Sequence, residues 1–493
     1  MNRKITCLVA VVLLAGEALF GQSPASDERL NALRSLKIDA ATSLQVERDP
    51  SGSRAVVKLV LQPAKGSNIN VHIWLPAAAK WNGRFLGLGN GGAAGAINPT
   101  ILDGASAAGY ATATTDMGTA PNADSGVGNP EVWKDFGYRA THLMTVVGKQ
   151  VTTAYYGKAP ELSYFSGGST GGQQALQEAQ RYPEDYDGIA ASVAAHCRTP
   201  LHAYFLWNDQ ILKKCPFTKE QDANIMSAAN ETMAAREVPA AAGKFVSDPR
   251  CNAQDIEAVI ALARKKDATL TDAHAAALRK LFDGPRHAVT GERIFNGVPL
   301  GSSLEASHGH LYLFKWVFGA DKKMEEINFG TDIDTYTAKL APYLSAENPD
   351  LSAFQKRGGK LLMTLGTADS VVPYHASIDY YERVMERLGG LDKVRSFFRF
   401  YVVPGLSHGV GPGLNQRPNL LDPVRAWREQ GIVPEALMGR HAEGGKVTFE
   451  MPIYPYPQRT GWNEAKRRYE AVDGPRGGVD RIAERFLPAA AGE

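Results

Sequence analysis

The chain has 493 residues, 44% hydrophobic and 22% charged, with 54 basic against 52 acidic side chains and a formal net charge of +2. That balance is ordinary for a globular protein and excludes fibrous, collagen-like and wholly disordered chains. Near-neutral charge, with no cluster of Lys and Arg interleaved with aromatics, leaves nothing to neutralise a phosphate backbone, so nucleic acid is not an expected partner.

Arg3 and Lys4 precede an apolar run over 5–15, followed by small and polar residues (Gly21, Ser23, Ala25, Ser26). This is the pattern of a secretory signal peptide, assigned to 1–25. The run is too short to span a bilayer, and no later stretch approaches about 18 apolar residues. The mature chain is therefore expected to be secreted or periplasmic, with no membrane partner. Once Cys7 leaves with the leader, Cys197, Cys215 and Cys251 remain, which allows at most one intramolecular bridge. The sequence does not fix which pair forms it; Cys215–Cys251, flanking one helical stretch, is favoured, with Cys197 a buried thiol. No Cys/His set has zinc spacing, and no cofactor is expected.

From Arg54 onward β-branched runs alternate with turn signals, predicting strands over 55–61, 69–75, 85–89 and 110–115. Over 136–156 the apolar residues Tyr138, Met144, Val147 and Val151 recur at helical spacing, and a strand is predicted over 162–165. Strand, helix, strand is the unit of a parallel sheet. After a further strand over 189–193, the segment 200–348 is Ala-rich, charged and without parallel-strand runs. The α/β rhythm returns with a strand over 360–365, a helix over 376–388 and a strand over 397–403. The expected architecture is an α/β core, 26–199 and 349–493, carrying an inserted, mainly helical lid over 200–348, with the site at the carboxyl ends of the strands. The stretch beyond about Gly474 is Gly/Arg/Ala-rich and is expected to be partly loose at its end.

The strand over 162–165 runs into Ser166-Gly167-Gly168-Ser169-Thr170-Gly171-Gly172-Gln173 and then a helix-forming run. Gly167 to Gly171 is a G-x-S-x-G pattern in the strand-to-helix context of a nucleophile elbow, where the turn is too sharp for neighbours with a Cβ. Glycine-rich βα turns are common, so the pattern gains weight only from partners elsewhere in the chain. Gly366-Thr367-Ala368-Asp369 follows the strand over 360–365, and Pro404-Gly405-Leu406-Ser407-His408-Gly409 follows the strand over 397–403. The order Ser169, Asp369, His408 is that of α/β-hydrolases. A serine hydroxyl needs a base to take its proton, and that base needs a carboxylate to orient it. His375, a few positions beyond Asp369, is expected to be a pocket or surface residue, and His142 and His196 are second choices for the base.

The oxyanion hole needs backbone N–H groups aimed at the developing charge. Thr170, directly after the serine, is one candidate donor; Gly91 and Gly92, in Leu86-Gly87-Leu88-Gly89-Asn90-Gly91-Gly92, are candidates for the other. Gly87, Gly89 and Gly92 also match G-x-G-x-x-G by letter, but Gly95 and Pro99 interrupt any helix that a dinucleotide loop would require.

With these residues the chain resembles the tannase and feruloyl esterase family, which includes bacterial esterases that cleave mono(2-hydroxyethyl) terephthalate. The blocks that carry the resemblance are Trp81-Asn82-Gly83-Arg84-Phe85, Gly89-Asn90-Gly91-Gly92, Gly128-Asn129-Pro130, Asp135-Phe136-Gly137-Tyr138-Arg139, Ser169-Thr170-Gly171-Gly172, Tyr182-Pro183-Glu184-Asp185-Tyr186-Asp187-Gly188 and Tyr454-Pro455-Tyr456-Pro457-Gln458. The resemblance implies a secreted serine esterase of aromatic acids with an α/β-hydrolase core and a lid. Two departures stand out. Family members place a disulfide between the residue before the serine and the residue after the histidine; here these are Gly168 and Gly409. The lid of many members holds calcium in an Asp-rich loop, whereas 230–255 offers only Asp248 and Asp255, so bound calcium is not favoured.

The resulting expectation is hydrolysis of a small-molecule aromatic ester, feruloyl-type first, then galloyl or terephthalate half-ester. The alternative is a non-catalytic ligand-binding relative that kept the fold, and a peptidase is a weaker third reading. Tyr204, Phe205, Trp207, Tyr312, Phe314, Trp316 and Phe318 either line an aromatic acid pocket or form lid core, and for any single one core is the expected role.

Overall fold

The computed structural model describes residues 24–234, 250–409, 411, 413–474 and 479–487. The leader assigned to 1–25 falls almost wholly outside them. Among the described residues, no helix is long and apolar enough to cross a membrane.

Nine strands, β1 (Ala41–Arg48), β2 (Arg54–Leu61), β3 (Ile69–Pro76), β4 (Arg84–Leu88), β5 (Ala111–Thr115), β6 (Leu162–Gly168), β7 (Gly188–Ser192), β8 (Lys360–Gly366) and β9 (Phe398–Val403), form one sheet among the described residues. Their order is β1-β2-β3-β5-β4-β6-β7-β8-β9. The first three strands are antiparallel, β3 joins β5 antiparallel, and every pairing from β5 through β4 to β9 is parallel.

Each part follows from its residues. In β3, Ile69, Val71, Ile73 and Leu75 are buried while Asn70, His72 and Trp74 are only partly covered, as expected of a strand with one covered face. In β8, Leu361, Leu362, Met363 and Leu365 are all buried, because a parallel strand is covered by helices on both faces. On one side lie the helices Ala140–Tyr156, Thr170–Arg181 and Tyr374–Leu388. On the other, Val424 and Trp427 of the helix Leu421–Gln430 pack with Tyr164, Leu362 and Tyr401.

Between β7 and β8 the chain is helical, from Arg198–Lys214 to Thr331–Leu344 and Ser352–Lys356, and adds no strand to the sheet among its described residues. Its apolar residues share one core with the sheet, so the segment is packed down rather than tethered. Three glutamines of the helix Thr170–Arg181 fasten its returning end: Gln173, Gln177 and Gln180 donate to the carbonyls of Leu344, Ser345 and Ala346.

Several expectations need correction. No disulfide joins Cys215 to Cys251. The helices Lys219–Ala234 and Ala253–Lys266 pack antiparallel, with Gln221 and Asn224 of the first reaching Thr269 and Asp267 beyond the end of the second. Cys215 precedes the first helix and Cys251 the second, so about 24 Å of a 16-residue helix separates them, far beyond disulfide reach. Cys197 is buried, with its thiol pushed up by burial. Residues 479–487 are packed down, with Ile482 and Phe486 buried, and the chain end expected to be loose lies outside the described residues. Strand β1 and two C-terminal hairpins, Leu437–Glu443 with Lys446–Ile453 and Gln458–Asn463 with Arg468–Asp473, were not anticipated. The loop in which calcium was weighed lies mostly outside the described residues; Asp255 there closes a capping box with Asn252.

Candidate active site

Strands β4, β6, β8 and β9 end on the same edge of the sheet, and each carries one predicted element just past its carboxyl end. Ser169 sits between β6 and the helix Thr170–Arg181 at φ 58°, ψ −117°. A non-glycine residue held there is strained, and the surroundings over-determine it. Its N–H donates to the Ser192 carbonyl at 3.0 Å, and its carbonyl accepts from Ala195 N–H at 3.0 Å. A Cβ on Gly167 would run into the Gly171 carbonyl, and one on Gly89 would lie 2.6 Å from the Gly171 Cα. The elbow and the β4 loop therefore need those glycines for close approach.

The structure brings Ser169, His408 and Asp369 together. His408 Nε2 lies 3.1 Å from Ser169 Oγ, and His408 Nδ1 lies 2.9 Å from Asp369 Oδ2. Asp369 is fully buried, and its other oxygen, Oδ1, accepts from Val371 N–H at 2.9 Å and Val372 N–H at 2.8 Å. Those two amides turn the carboxylate edge-on to the imidazole. The arrangement can pass a proton from Oγ to Nε2 while the carboxylate steadies the cation that forms.

Thr170 begins the helix behind Ser169, and its hydroxyl donates to the Gly92 carbonyl at 2.6 Å. Gly92 lines the cavity beside Ser169; Gly91 is not among the residues lining it. Asn90 pins this loop: its carbonyl accepts from Gly171 N–H at 2.7 Å, its N–H donates to Gln174 Oε1 at 2.8 Å, and its side chain donates to the Thr115 carbonyl. No helix opens after β4 until Pro99–Ala107, which removes the dinucleotide reading.

The cavity over Ser169 is about 250 Å³. Phe205 and Tyr312 line it, whereas Tyr204, Phe314 and Trp316 are buried core. Arg198, first residue of the helix Arg198–Lys214, also lines the cavity and was not singled out from sequence. The signal that could have found it is a cation at the first turn of a helix, where the macrodipole disfavours one.

The rival histidines are engaged elsewhere. His142 Nδ1 lies 2.7 Å from Asp185. His375 stacks on Tyr374 and lines a separate cavity with Arg293 and Asp480. His196 contacts Glu347 through Nδ1 and Ser377 Oγ through Nε2 at 3.1 Å. This is a second Ser–His–carboxylate relay, but all three residues are about 1% exposed, so no substrate reaches it. Among the described residues, one His/Asp/Glu cluster has ligand atoms close enough to share an ion: His142, Glu178 and Asp185. Glu178 is pushed well above the usual carboxylate range by burial and by Asp185, and Lys149 donates to the Asp185 carbonyl.

An open α/β sheet with Ser169, Asp369 and His408 gathered at its carboxyl edge has the organisation of an α/β-hydrolase. Two solved structures match that fold. Feruloyl esterase B from Aspergillus oryzae superposes with a TM-score of 0.75 at 24% identity, over 91% of this chain and all of that one. Tannin acyl hydrolase from Aspergillus niger gives 0.72 at 20% identity, over 94% and 97%. By sequence, residues 53–332 and 312–473 match the family described as tannase and feruloyl esterase. Feruloyl esterase B of Aspergillus niger is 30% identical, covering 82% of each chain, and an uncharacterized esterase of Xanthomonas campestris pv. campestris is 30% identical over 85% of this chain and 84% of that one. The chain belongs to the tannase and feruloyl esterase family and is a carboxylic ester hydrolase.

Proposed function

We propose that this protein is an exported serine esterase of aromatic carboxylic esters. The observation that carries the reading is the relay Ser169 Oγ to His408 Nε2 at 3.1 Å and His408 Nδ1 to Asp369 at 2.9 Å, open to a cavity. Ser169 attacks the ester carbonyl as His408 takes its proton, and Asp369 holds the imidazole and stabilises its cation. The oxyanion lies between the N–H of Thr170, at the positive end of its helix, and the N–H of Gly92, with Gly91 the alternative. His408 then protonates the leaving alcohol. Water, deprotonated by the same histidine, clears the acyl-enzyme and releases the acid.

The names of the relatives favour feruloyl-type acids, with galloyl esters and terephthalate half-esters as the neighbouring classes. The Arg3-Lys4 leader supports export. The test is hydrolysis of methyl ferulate, methyl gallate, mono(2-hydroxyethyl) terephthalate and p-nitrophenyl acetate by the mature protein beside Ser169→Ala. Turnover of an aromatic ester that disappears in the variant is expected, with unfolding temperature unchanged. Activity retained in Ser169→Ala would overturn the assignment.

A further inference from the structure

Away from the cavity over Ser169, an imidazole and two carboxylates converge: His142 in the first turn of the helix Ala140–Tyr156, Glu178 in the helix Thr170–Arg181, and Asp185 in the connection from that helix to β7. Their ligand atoms all lie within 4.8 Å of one another. Glu178 is fully buried, yet neither of its oxygens has a hydrogen-bond partner. It faces the Asp185 carboxylate, an acceptor like itself, and burial together with that charge pushes Glu178 well above the usual carboxylate range. A buried carboxylate is ordinarily paired with a cation or hydrogen-bonded. The neighbouring cations do not supply this. Lys149 gives its ammonium to the Asp185 main-chain carbonyl and lies 5.5 Å from the Tyr186 ring centre. His142 Nδ1 lies 2.7 Å from Asp185 Oδ2, so a proton held there serves Asp185 and leaves Glu178 bare.

We propose that His142, Glu178 and Asp185 hold a divalent ion of the zinc class, at a site separate from the catalytic relay and independent of its chemistry. One imidazole nitrogen with two carboxylate oxygens is a donor set for zinc, whereas calcium and magnesium take oxygen ligands. Tetrahedral ligands at about 2.0–2.2 Å from zinc stand about 3.4 Å apart, so the His142–Asp185 pair, now at 2.7 Å, opens by less than about 1 Å to admit it. The His142 side chain is 30% exposed, which gives the ion a way in and a water room as fourth ligand. Its ring stacks on Tyr182 with centres 3.8 Å apart, which fixes the plane of the imidazole. The role of the ion is architectural. It ties the helix that starts behind Ser169 to the neighbouring helix and to the loop that follows, and Gln174, one turn before Glu178, is the residue that accepts from the Asn90 N–H.

The test uses the untagged mature protein, stripped with a chelator and titrated with zinc chloride by calorimetry, with cobalt(II) absorption as a second probe of the same ligands. The wild type should bind one zinc per chain with micromolar or tighter affinity. Glu178→Gln, and His142→Phe, which keeps the stack on Tyr182, should each weaken that binding at least about tenfold, the loss that removing even an outer partner of a metal ligand brings. No binding by the wild type overturns the proposal, and so does binding undiminished in both variants, which would place the ion elsewhere. Unfolding temperatures give a second reading. Without metal, Glu178→Gln should be at least as stable as the wild type, because it removes a bare buried charge. With zinc the order should reverse, since the ion stabilises the intact folded site; an order that zinc leaves unchanged refutes the site. Both readouts are binding and stability, so their outcome is distinct from whether Ser169 turns over an ester.

Discussion

Asp369→Asn isolates the contribution of the buried acid, because the structure fixes which way the amide must face. Oδ1 of Asp369 accepts from two backbone N–H groups, at 2.9 and 2.8 Å, while Oδ2 meets His408 Nδ1 at 2.9 Å. In the variant the amide oxygen keeps the Oδ1 position, since the opposite orientation would set NH₂ against two buried donors at about 1–3 kcal/mol each. The NH₂ group then faces Nδ1 and forces that nitrogen to accept. The proton moves to Nε2, which can no longer take one from Ser169. Holding the imidazole in the wrong tautomer is worth about 10⁴ in kcat in serine hydrolases, and four decades at about 1.4 kcal/mol each is about 5.5 kcal/mol of transition-state stabilisation. The assay is kcat on p-nitrophenyl acetate at pH 7.5, with circular dichroism and thermal unfolding to show that the variant is folded. A folded Asp369→Asn with kcat within tenfold of wild type would refute the relay.

Other perturbations separate the site from its surroundings. Ser377→Ala removes the serine of the buried relay with His196 and Glu347; ester turnover should be unchanged, and a loss in a normally folded variant would put chemistry there. Asp379 is 1% exposed, both its oxygens lack hydrogen bonds, and burial raises it from 3.8 to about 6. The folded state therefore holds this proton between those values while the unfolded state releases it, so stability falls as pH rises through that window, by up to about 3 kcal/mol at about 1.4 per unit. Asp379→Asn should raise the unfolding temperature at pH 7.5 and leave it unchanged at pH 3; an equal shift at both would refute this account. Arg417→Met removes a donor to the His408 carbonyl and should lower kcat about three- to tenfold with KM little changed; unaltered steady-state kinetics would show that the loop stands without it.

Much of the fold was readable in the sequence because its strands differ in kind. Runs such as Leu361 to Leu365 are apolar throughout because both faces are covered, and alternation in 69–75 marks a strand covered on one face. Strand β1 escaped notice because its exposed Thr42, Gln45 and Glu47 dilute any period at the sheet edge. The C-terminal hairpins are hidden for the same reason, with Lys446, Thr448 and Glu450 in largely exposed strands. The relay was readable because Ser169, Asp369 and His408 each follow a strand, and parallel strands deliver their carboxyl ends to one edge. What sequence could not supply was contact across long separations: the Val371 and Val372 amides that orient Asp369, and Arg198 against Thr170 and Gly92.

The missing cysteine pair shows how such contacts substitute for a local signature. A disulfide between positions 168 and 409 would bind the elbow to the histidine loop covalently. Here a Cβ on Gly168 would lie 2.8 Å from Ser192 Oγ and 3.4 Å from Arg417 Nη1, while one on Gly409 would meet nothing within 4 Å. The Arg417 guanidinium thus occupies ground beside the elbow and donates to the His408 carbonyl. An exposed hydrogen bond of this kind contributes about 1 kcal/mol, against about 2–4 kcal/mol for a disulfide that closes a long loop. The remaining restraint comes from the buried Asp369–His408 pair and from Thr367, whose hydroxyl accepts from Gly405 N–H at 2.7 Å at the base of the loop. His408 is therefore held mainly from β8, the strand that carries its carboxylate, rather than from the elbow. Alignment of the imidazole with the carboxylate is thereby coupled more tightly than its alignment with the Ser169 hydroxyl, and loosening the loop should appear first in the Ser169–His408 distance.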